Sequence, residues 1–492
     1  MAEQKTVATP IEAVLEMCPD WELTEALLCG TRHMRGAGEK YLPRWPNEDQ
    51  KSYAARLAVA VLYPAYSRTV TTLAAKPFSK PLKVEDDVPA KLVEWLDDID
   101  MQGRNLHVFA SDCMELMLGP GLGCILVDYP DASKSVQPTA AGVVTQAEEQ
   151  RAGLRPYWLL IKPRQIIGWR AERVRGEWTL NQFRFMECVE EPDGEFGTME
   201  IEQVRVLEPG KWRTFRQDTN DPRKWVLHDE GTTTLQEVPI VPLYGVRTGF
   251  MAAKPPLIEL AHLSVAHWQS SSDQQNILHV ARVPILTVTG VQDGIGQNGE
   301  AQPWTFSIGA SAAVKLPMGA TMAYVEHTGK AVEAGAAELE TLEQRMRQAG
   351  AELLVLGPSP TTRIEAAADN EVATCALQRM TQALEDALDE ALDITARWVG
   401  EATGGHVTLF SDFGALTLGD AQNQLIADME AAGVISKQTA FEESQRRGVL
   451  AADRTWEEEQ ARLEGQGPPM GTLGNPAASD LMTGGAAADS AA

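Results

Sequence analysis

Among the residues able to do chemistry, Glu365 and Asp369 stand four apart, a spacing that sets two carboxylates on one helix face where they could divide general acid and base work. No nucleophile motif, metal cluster or nucleotide loop accompanies them, and such pairs are common on solvated helix faces. The sequence therefore predicts no enzyme and no catalytic residue. His262, His267 and His279 fall on one segment, but spacings of five and twelve keep them off a shared face with a carboxylate, so they read as structural, with no metal and no cofactor expected. The six cysteines (Cys18, Cys29, Cys113, Cys124, Cys188, Cys375) form no CxxC pair and no zinc spacing, which fits a reduced compartment. The run Gly119-Pro120-Gly121-Leu122-Gly123 invites a phosphate-loop reading, yet that loop needs its glycines after a strand and before a helix. Here the buried strand Cys124–Pro130 follows the glycines, so a turn is expected. Trp158, Trp169, Trp178, Trp212 and Trp225 interleave with Arg and Lys in a way that could stack single-stranded nucleic acid. Acidic residues nearly balance the basic ones there, and core and cross-strand pairing is the expected use.

The elements that must position these groups centre on Gly335–Trp398, two periodic helical segments separated by Gly357-Pro358-Ser359-Pro360-Thr361-Thr362. Leu339, Leu342, Met346, Ala349, Leu353 and Leu356 lay one apolar stripe along the first helix, and Leu377, Met380, Leu384, Leu388, Ala391, Thr395 and Trp398 along the second. Between the positions of the second stripe crowd Glu385, Asp386, Asp389, Glu390 and Asp393, with no basic residue between Arg379 and Arg397. Like charges four apart repel by roughly 0.2–0.5 kcal/mol per pair, and a solvated face is the expectation.

A chain of 492 residues predicts about three domains. Its 69 acidic against 43 basic residues, a formal −26, argue against a protein that grips nucleic acid or an anionic membrane. No signal-like N-terminus and no apolar run near the ~20 residues of a membrane span is present, so a soluble protein is expected. Residues 1–100 read as helices with polar joints, with Asp49–Leu62 stopped by Pro64; Arg104–Leu118 reads as a further helix and 133–153 as a surface loop. From Pro156 to Pro242 the pattern turns to antiparallel strands, at Tyr157–Trp169, Trp178–Val189, Met199–Leu207, Trp212–Arg216, Trp225–His228 and Val238–Leu243. Pro255-Pro256 opens a helix whose polar middle, Gln269–Asn276, suits packing against copies of itself; short strands at Val283–Gly290, Trp304–Ile308 and Ala323–Glu326 follow. Overall the class is α+β.

This order of elements resembles the portal protein of tailed bacteriophages. The resemblance is carried by Pro255-Pro-Leu-Ile-Glu-Leu-Ala-His-Leu-Ser-Val-Ala-His267, Ser270-Ser-Ser-Asp273, Val283-Pro-Ile-Leu-Thr-Val-Thr-Gly290, Leu316-Pro-Met-Gly319, Glu343-Gln-Arg-Met346 and Glu352-Leu-Leu354. Near the end Gly433-Val-Ile-Ser436, Thr439, Arg447-Gly-Val-Leu450 and Glu457-Glu-Glu459 with Arg462 add to it. These are packing patterns without a catalytic signature.

The resemblance implies residues 1–254 as a wing (helical over 1–120, β-rich over 155–245), 255–281 and 331–356 as two stem helices, and 282–330 as a clip. It implies 357–370 as a tunnel loop, 371–403 as a long wing helix and 404–464 as a helical crown-like segment, while the Gly-, Ala-, Pro- and Ser-rich residues 465–492 read as a disordered tail. On the same footing it implies DNA-facing residues Ser359, Thr361, Thr362 and Arg363, and a partner-docking clip tip at Gln292, Asp293, Gln297, Asn298 and Glu300. Trp268, Leu339, Leu342, Met346 and Leu353 are the expected oligomer-packing residues. The implied partners are further copies of the chain, usually twelve, double-stranded DNA, the large terminase subunit, a head-completion or tail adaptor protein, and major capsid and scaffolding proteins, with no membrane. The implied location is the capsid portal vertex of the virion, preceded by the host cytoplasm. Two other readings stand beside it: another virion scaffold protein, and an acidic cytosolic enzyme.

Overall fold

In this computed structural model the described residues are 5–130, 153–281, 285–290, 294–295, 301–302, 318–325, 329–354, 375–411, 413, 429–430, 433–446, 450 and 454–465. Contacts divide the chain into two compact units, Met1–Ser411 and Asp412–Ala492, where length alone suggested about three.

The first unit opens with α1 (Glu12–Cys29), α2 (Thr31–Ala37), α3 (Gln50–Val59) and α4 (Ala65–Ala74). Asp49 caps α3, its side chain accepting from the amides of Lys51 and Ser52, and the helix ends at Val59, three residues short of the expected Leu62, where Ala60 turns extended. After the short β1 (Lys83–Val84) and α5 (Ala90–Val93) comes α6 (Leu106–Leu118), capped by Asn105 through the amide of Val108. The turn beyond α6 explains the glycine run. Gly121 has φ +82°, and a Cβ there would stand 2.5 Å from the backbone of Lys254, so only glycine lets β2 (Leu122–Asp128) start this close to a neighbouring chain segment. Every residue of β2 is buried, as its continuous apolar run requires.

β2 is the centre of an antiparallel three-stranded sheet, order β3-β2-β9, with β3 (Tyr157–Ile161) and β9 (Ile240–Tyr244). A five-stranded antiparallel sheet follows in simple up-and-down order: β4 (Ile166–Val174), β5 (Glu177–Asp193), β6 (Gly197–Glu208), β7 (Lys211–Gln217) and β8 (Trp225–Thr232). The expected single strand Tyr157–Trp169 is thus two strands in two sheets. Pro163 at the head of a 3-10 turn breaks the ladder between them. One apolar cluster joins both sheets to α1, with Val14 and Trp21 against Leu122, Leu126, Ile161, Phe183 and Phe185. Four of the five tryptophans serve packing: Trp158 is fully buried, Trp169 and Trp212 pack on this cluster and Trp225 on a smaller one around Val204, whereas Trp178 is 52% exposed.

The hairpin β10 (Val246–Gly249) and β11 (Ala252–Lys254) leads into α7 (Ile258–Ala281). Then come β12 (Ile285–Thr289), the small pair β13 (Gly294–Ile295) and β14 (Ala301–Gln302), and β15 (Thr321–Val325), which pairs antiparallel with β12. The expected strand Trp304–Ile308 lies outside the described residues. α8 (Lys330–Ala351) packs back on α7, and α9 (Ala376–Val399) lies across β2, β9 and α6 before β16 (Val407–Thr408) pairs with β1. The second unit contains α10 (Lys437–Arg446) and α11 (Trp456–Gly465), joined by the rings of Phe441 and Trp456 at 5.5 Å.

Candidate functional site

Ser359, Thr361, Thr362 and Arg363 of the tunnel loop, Gln292, Asp293, Gln297, Asn298 and Glu300 of the clip tip, and the pair Glu365 and Asp369 all lie outside the described residues. The helix pair that flanks them is described. On it Trp268, Leu342 and Met346 are buried by this chain's own elements, with 0, 8 and 2% of their surface exposed. Leu339 and Leu353, half-buried, are the two of the five expected packing residues that keep surface for a neighbouring copy.

The polar middle of α7, expected to meet other copies, is bound largely within the protomer. The side-chain amide of Gln269 donates to the carbonyl of Tyr41 at 2.9 Å, and that of Gln274 to Val332 in α8 at 2.8 Å. Gly335 answers that last contact: a Cβ there would lie 2.1 Å from the Gln274 side-chain oxygen, so α8 accepts a helix-weakening residue to come close. Asp273 stands 3.7 Å from Arg56, whose guanidinium is already paired with Glu48 at 2.8 Å. His267 lies under the Tyr63 ring, 3.8 Å from Glu343. Burial lowers its pKa more than Glu343 raises it, so the ring is neutral at pH 7, and its Nδ1 has no hydrogen-bond partner. Among the described residues no group of three His, Cys, Asp or Glu side chains could hold a metal ion. Cys113, Cys124 and Cys375 are buried thiols; Cys29 and Cys188 are exposed.

The acidic face of α9 departs from expectation, because it is not simply solvated. Glu385, Asp389 and Asp393, one turn apart, accept the backbone amides of Leu409 at 2.6 Å, Val407 at 2.9 Å and Gly404 at 2.6 Å. Asp87 holds the amide of His406 from the other side at 3.1 Å. Residues 404–409, expected to begin a helical segment, are therefore an extended strap whose amides are taken by carboxylates before any helix could use them. Burial pushes Glu385 and Asp389 above the ordinary carboxylate range, against the pull of the amides they accept. An acid raised in the folded state holds more protons folded than unfolded above its unfolded pKa of about 4, so this contribution to stability falls as pH climbs through the window from there to the raised value. Glu385→Gln keeps an acceptor for Leu409 without the buried charge. It is expected to match or exceed the parent at pH 7 and to flatten the slope, whereas Glu385→Ala strands the amide at a cost of about 1–3 kcal/mol. Urea denaturation at pH 5 and pH 7 separates them; a Gln variant as weak as the Ala variant would show that charge, not the acceptor, holds the strap.

A third polar centre was not visible in the sequence. Arg205 on β6 is forked onto Asp128 at the end of β2, at 2.8 and 3.0 Å, with Glu187 at 3.7 Å and the Tyr157 hydroxyl donating to Asp128 at 3.1 Å. Burial alone would lower Arg205, but its two carboxylates outweigh this and hold it above its usual value. Burial raises Tyr157 likewise, out of reach of proton transfer at neutral pH. The centre lines a cleft of about 850 Å³ roofed by Trp398, which stacks on Tyr129 at 5.3 Å. Arg205 is shared between a carboxylate at the end of β2 and one on β5, so the centre ties the two sheets together. The only hint in the sequence is a charge closing the apolar run Cys124–Val127.

Residues 256–399, less than a third of the chain, match the model of a family described as a domain of unknown function, DUF4055; the stretch runs from the proline before α7 to the last residue of α9. No curated protein matches. Solved structures with some likeness include a chain from the neck of a native gene transfer agent particle computed with C12 symmetry, at 13% identity and TM-score 0.39 over 78% of this chain and 90% of that one. A chain from the virion of the native gene transfer agent particle gives 13% and 0.37 over 84% and 98%, and one from the neck of an empty particle computed with C6 symmetry gives 14% and 0.39 over 82% and 95%. Scores of this size do not establish a shared fold.

Proposed function

We propose that this chain is a portal-type channel protein of a tailed phage-like particle, assembling as a ring around double-stranded DNA. The observation that carries the reading is the hairpin of α7 and α8, two long helices enclosing a small β insertion built on β12 and β15, followed by the long α9. This is the element order of the portal resemblance. In the proposal Ser359, Thr361, Thr362 and Arg363 meet the DNA, and the clip tip around Gln292 and Asn298 receives terminase and then a tail adaptor.

The charge agrees with such a role. A conduit should guide DNA by shape without gripping it, because every Lys or Arg on a phosphate adds salt-dependent attraction. Twelve copies of a chain at −26 carry a formal −312, so assembly also requires opposite charges to meet between copies. Mass photometry and negative-stain imaging test the reading. Rings with a central hole are expected at micromolar concentration; a monomer across ordinary salt overturns it, and a small closed oligomer points to the enzyme reading instead.

A further inference from the structure

The sheet β4–β8 carries two exposed features at opposite ends of its longest strand, an acidic tip and an aromatic groove with unpaired arginines on and beside it. At one end, the β5–β6 hairpin turns through Gly194, Glu195 and Phe196, and the stretch from Val189 to Glu202 contains six carboxylates and no Lys or Arg. Phe196 is 94% exposed. A phenyl ring held in water on a rigid two-stranded tip costs hydrophobic free energy unless something covers it.

At the other end lies a groove of about 870 Å³ beside β4, an edge strand, so no further strand of the sheet covers it. Trp169, Trp178 and Phe250 supply aromatic surface, with Trp178 and Phe250 stacked at 5.8 Å. Cations ring it. Arg173 lies 5.6 Å from the centre of the Trp178 ring, and Arg184, next to Arg170, donates to the carbonyls of Val7 and Thr9. Among the described residues neither Arg170, Arg173 nor Arg184 forms an ion pair. Three arginines without an ion pair, against Glu172 as the groove's one carboxylate outside such a pair among the described residues, are conspicuous in a chain with 26 excess acids.

Asn181 in the groove and Asp193 at the tip are twelve residues apart on β5, about 40 Å at ~3.3 Å per residue. A tip cannot reach its own groove, but it can reach that of another copy, and such head-to-tail contact generates rings when the rotation closes.

We propose that the acidic β5–β6 tip of one copy docks into the Trp169–Trp178–Phe250 groove of the next, with Phe196 against the rings and Asp193 and Glu195 facing Arg170 and Arg173. This rests on the ring reading above and assigns one of its subunit contacts. Full-length chain carrying Phe196→Ala, Glu195→Arg, Arg170→Glu or the last two together is compared with the parent by sedimentation velocity and negative stain. Circular dichroism and Tm confirm the fold, which an exposed tip does not support. Each single change is expected to raise the concentration for half-assembly by about tenfold or more, and the double charge swap to bring it back toward the parent. An equal mixture of the two single charge variants should recover rings of alternating subunits, since the Glu195→Arg tip then meets the Arg170→Glu groove and the unchanged tip meets the unchanged groove. Parent-like rings in every single variant, or a double variant no better than the singles, overturns the docking while leaving the ring reading intact. A parent chain that stays monomeric overturns both.

Discussion

Asp128→Ala is expected to cost about 3 kcal/mol of stability in the first unit, because it leaves the Arg205 guanidinium in the interior with one of its two carboxylates gone. Asp128 is 8% exposed and makes both short contacts to Arg205, whereas Glu187 at 3.7 Å offers only partial relief. The loss should sit at the low end of what breaking a buried pair costs for that reason. Replacing both partners, as in Asp128→Ala with Arg205→Met, removes the stranded charge and should recover most of the deficit. Tyr157→Phe, which removes only a hydroxyl donor, should cost about 1 kcal/mol. Denaturant midpoints for the parent, Asp128→Ala, Arg205→Met and the double change complete the cycle. If the double change is as damaging as the single one, the cleft is held by packing around these groups and not by their charges.

Leu342→Asp is the second large effect. Leu342 faces the seam in which α8 packs on α7 and α4, and a carboxylate there must either be buried unpaired or force the helices apart. A loss of about 3–5 kcal/mol is expected, near the range for emptying a buried leucine site and with the charge added. Leu339→Asp, one turn away at a half-buried position, should cost clearly less. Leu342→Met, which conserves volume, should cost under about 1.5 kcal/mol. Equal losses at 339 and 342 would mean that the apolar stripe is not seated as described.

Helix and strand identity were largely legible in the sequence. The stripe Leu377–Trp398 marks the buried side of α9, the prolines and the N-caps Asp49 and Asn105 mark where helices may start, and alternation over Trp178–Leu207 gives a long antiparallel pair. Periodicity works here because it records which side of an element is apolar, and that side must be buried whatever covers it.

The destination of each polar group was decided only by tertiary structure. On α9 the same five carboxylates would suit solvent equally well; three of them instead take amides from an extended segment 11 to 24 residues further on. Arg205 meets Asp128 across 77 residues, and the Trp158 indole reaches Thr395 across 237. Nothing in local spacing encodes such partners, because a hydrogen bond or ion pair depends on where two distant elements are brought together. The sequence by itself therefore determined an acidic α+β chain with long amphipathic helices and a meandering sheet. The tertiary structure decided which charges became struts, which apolar residues were consumed inside the protomer, and which, like Phe196, were left outside, since burial is settled by the sum of all packed neighbours and not by any one stretch of chain.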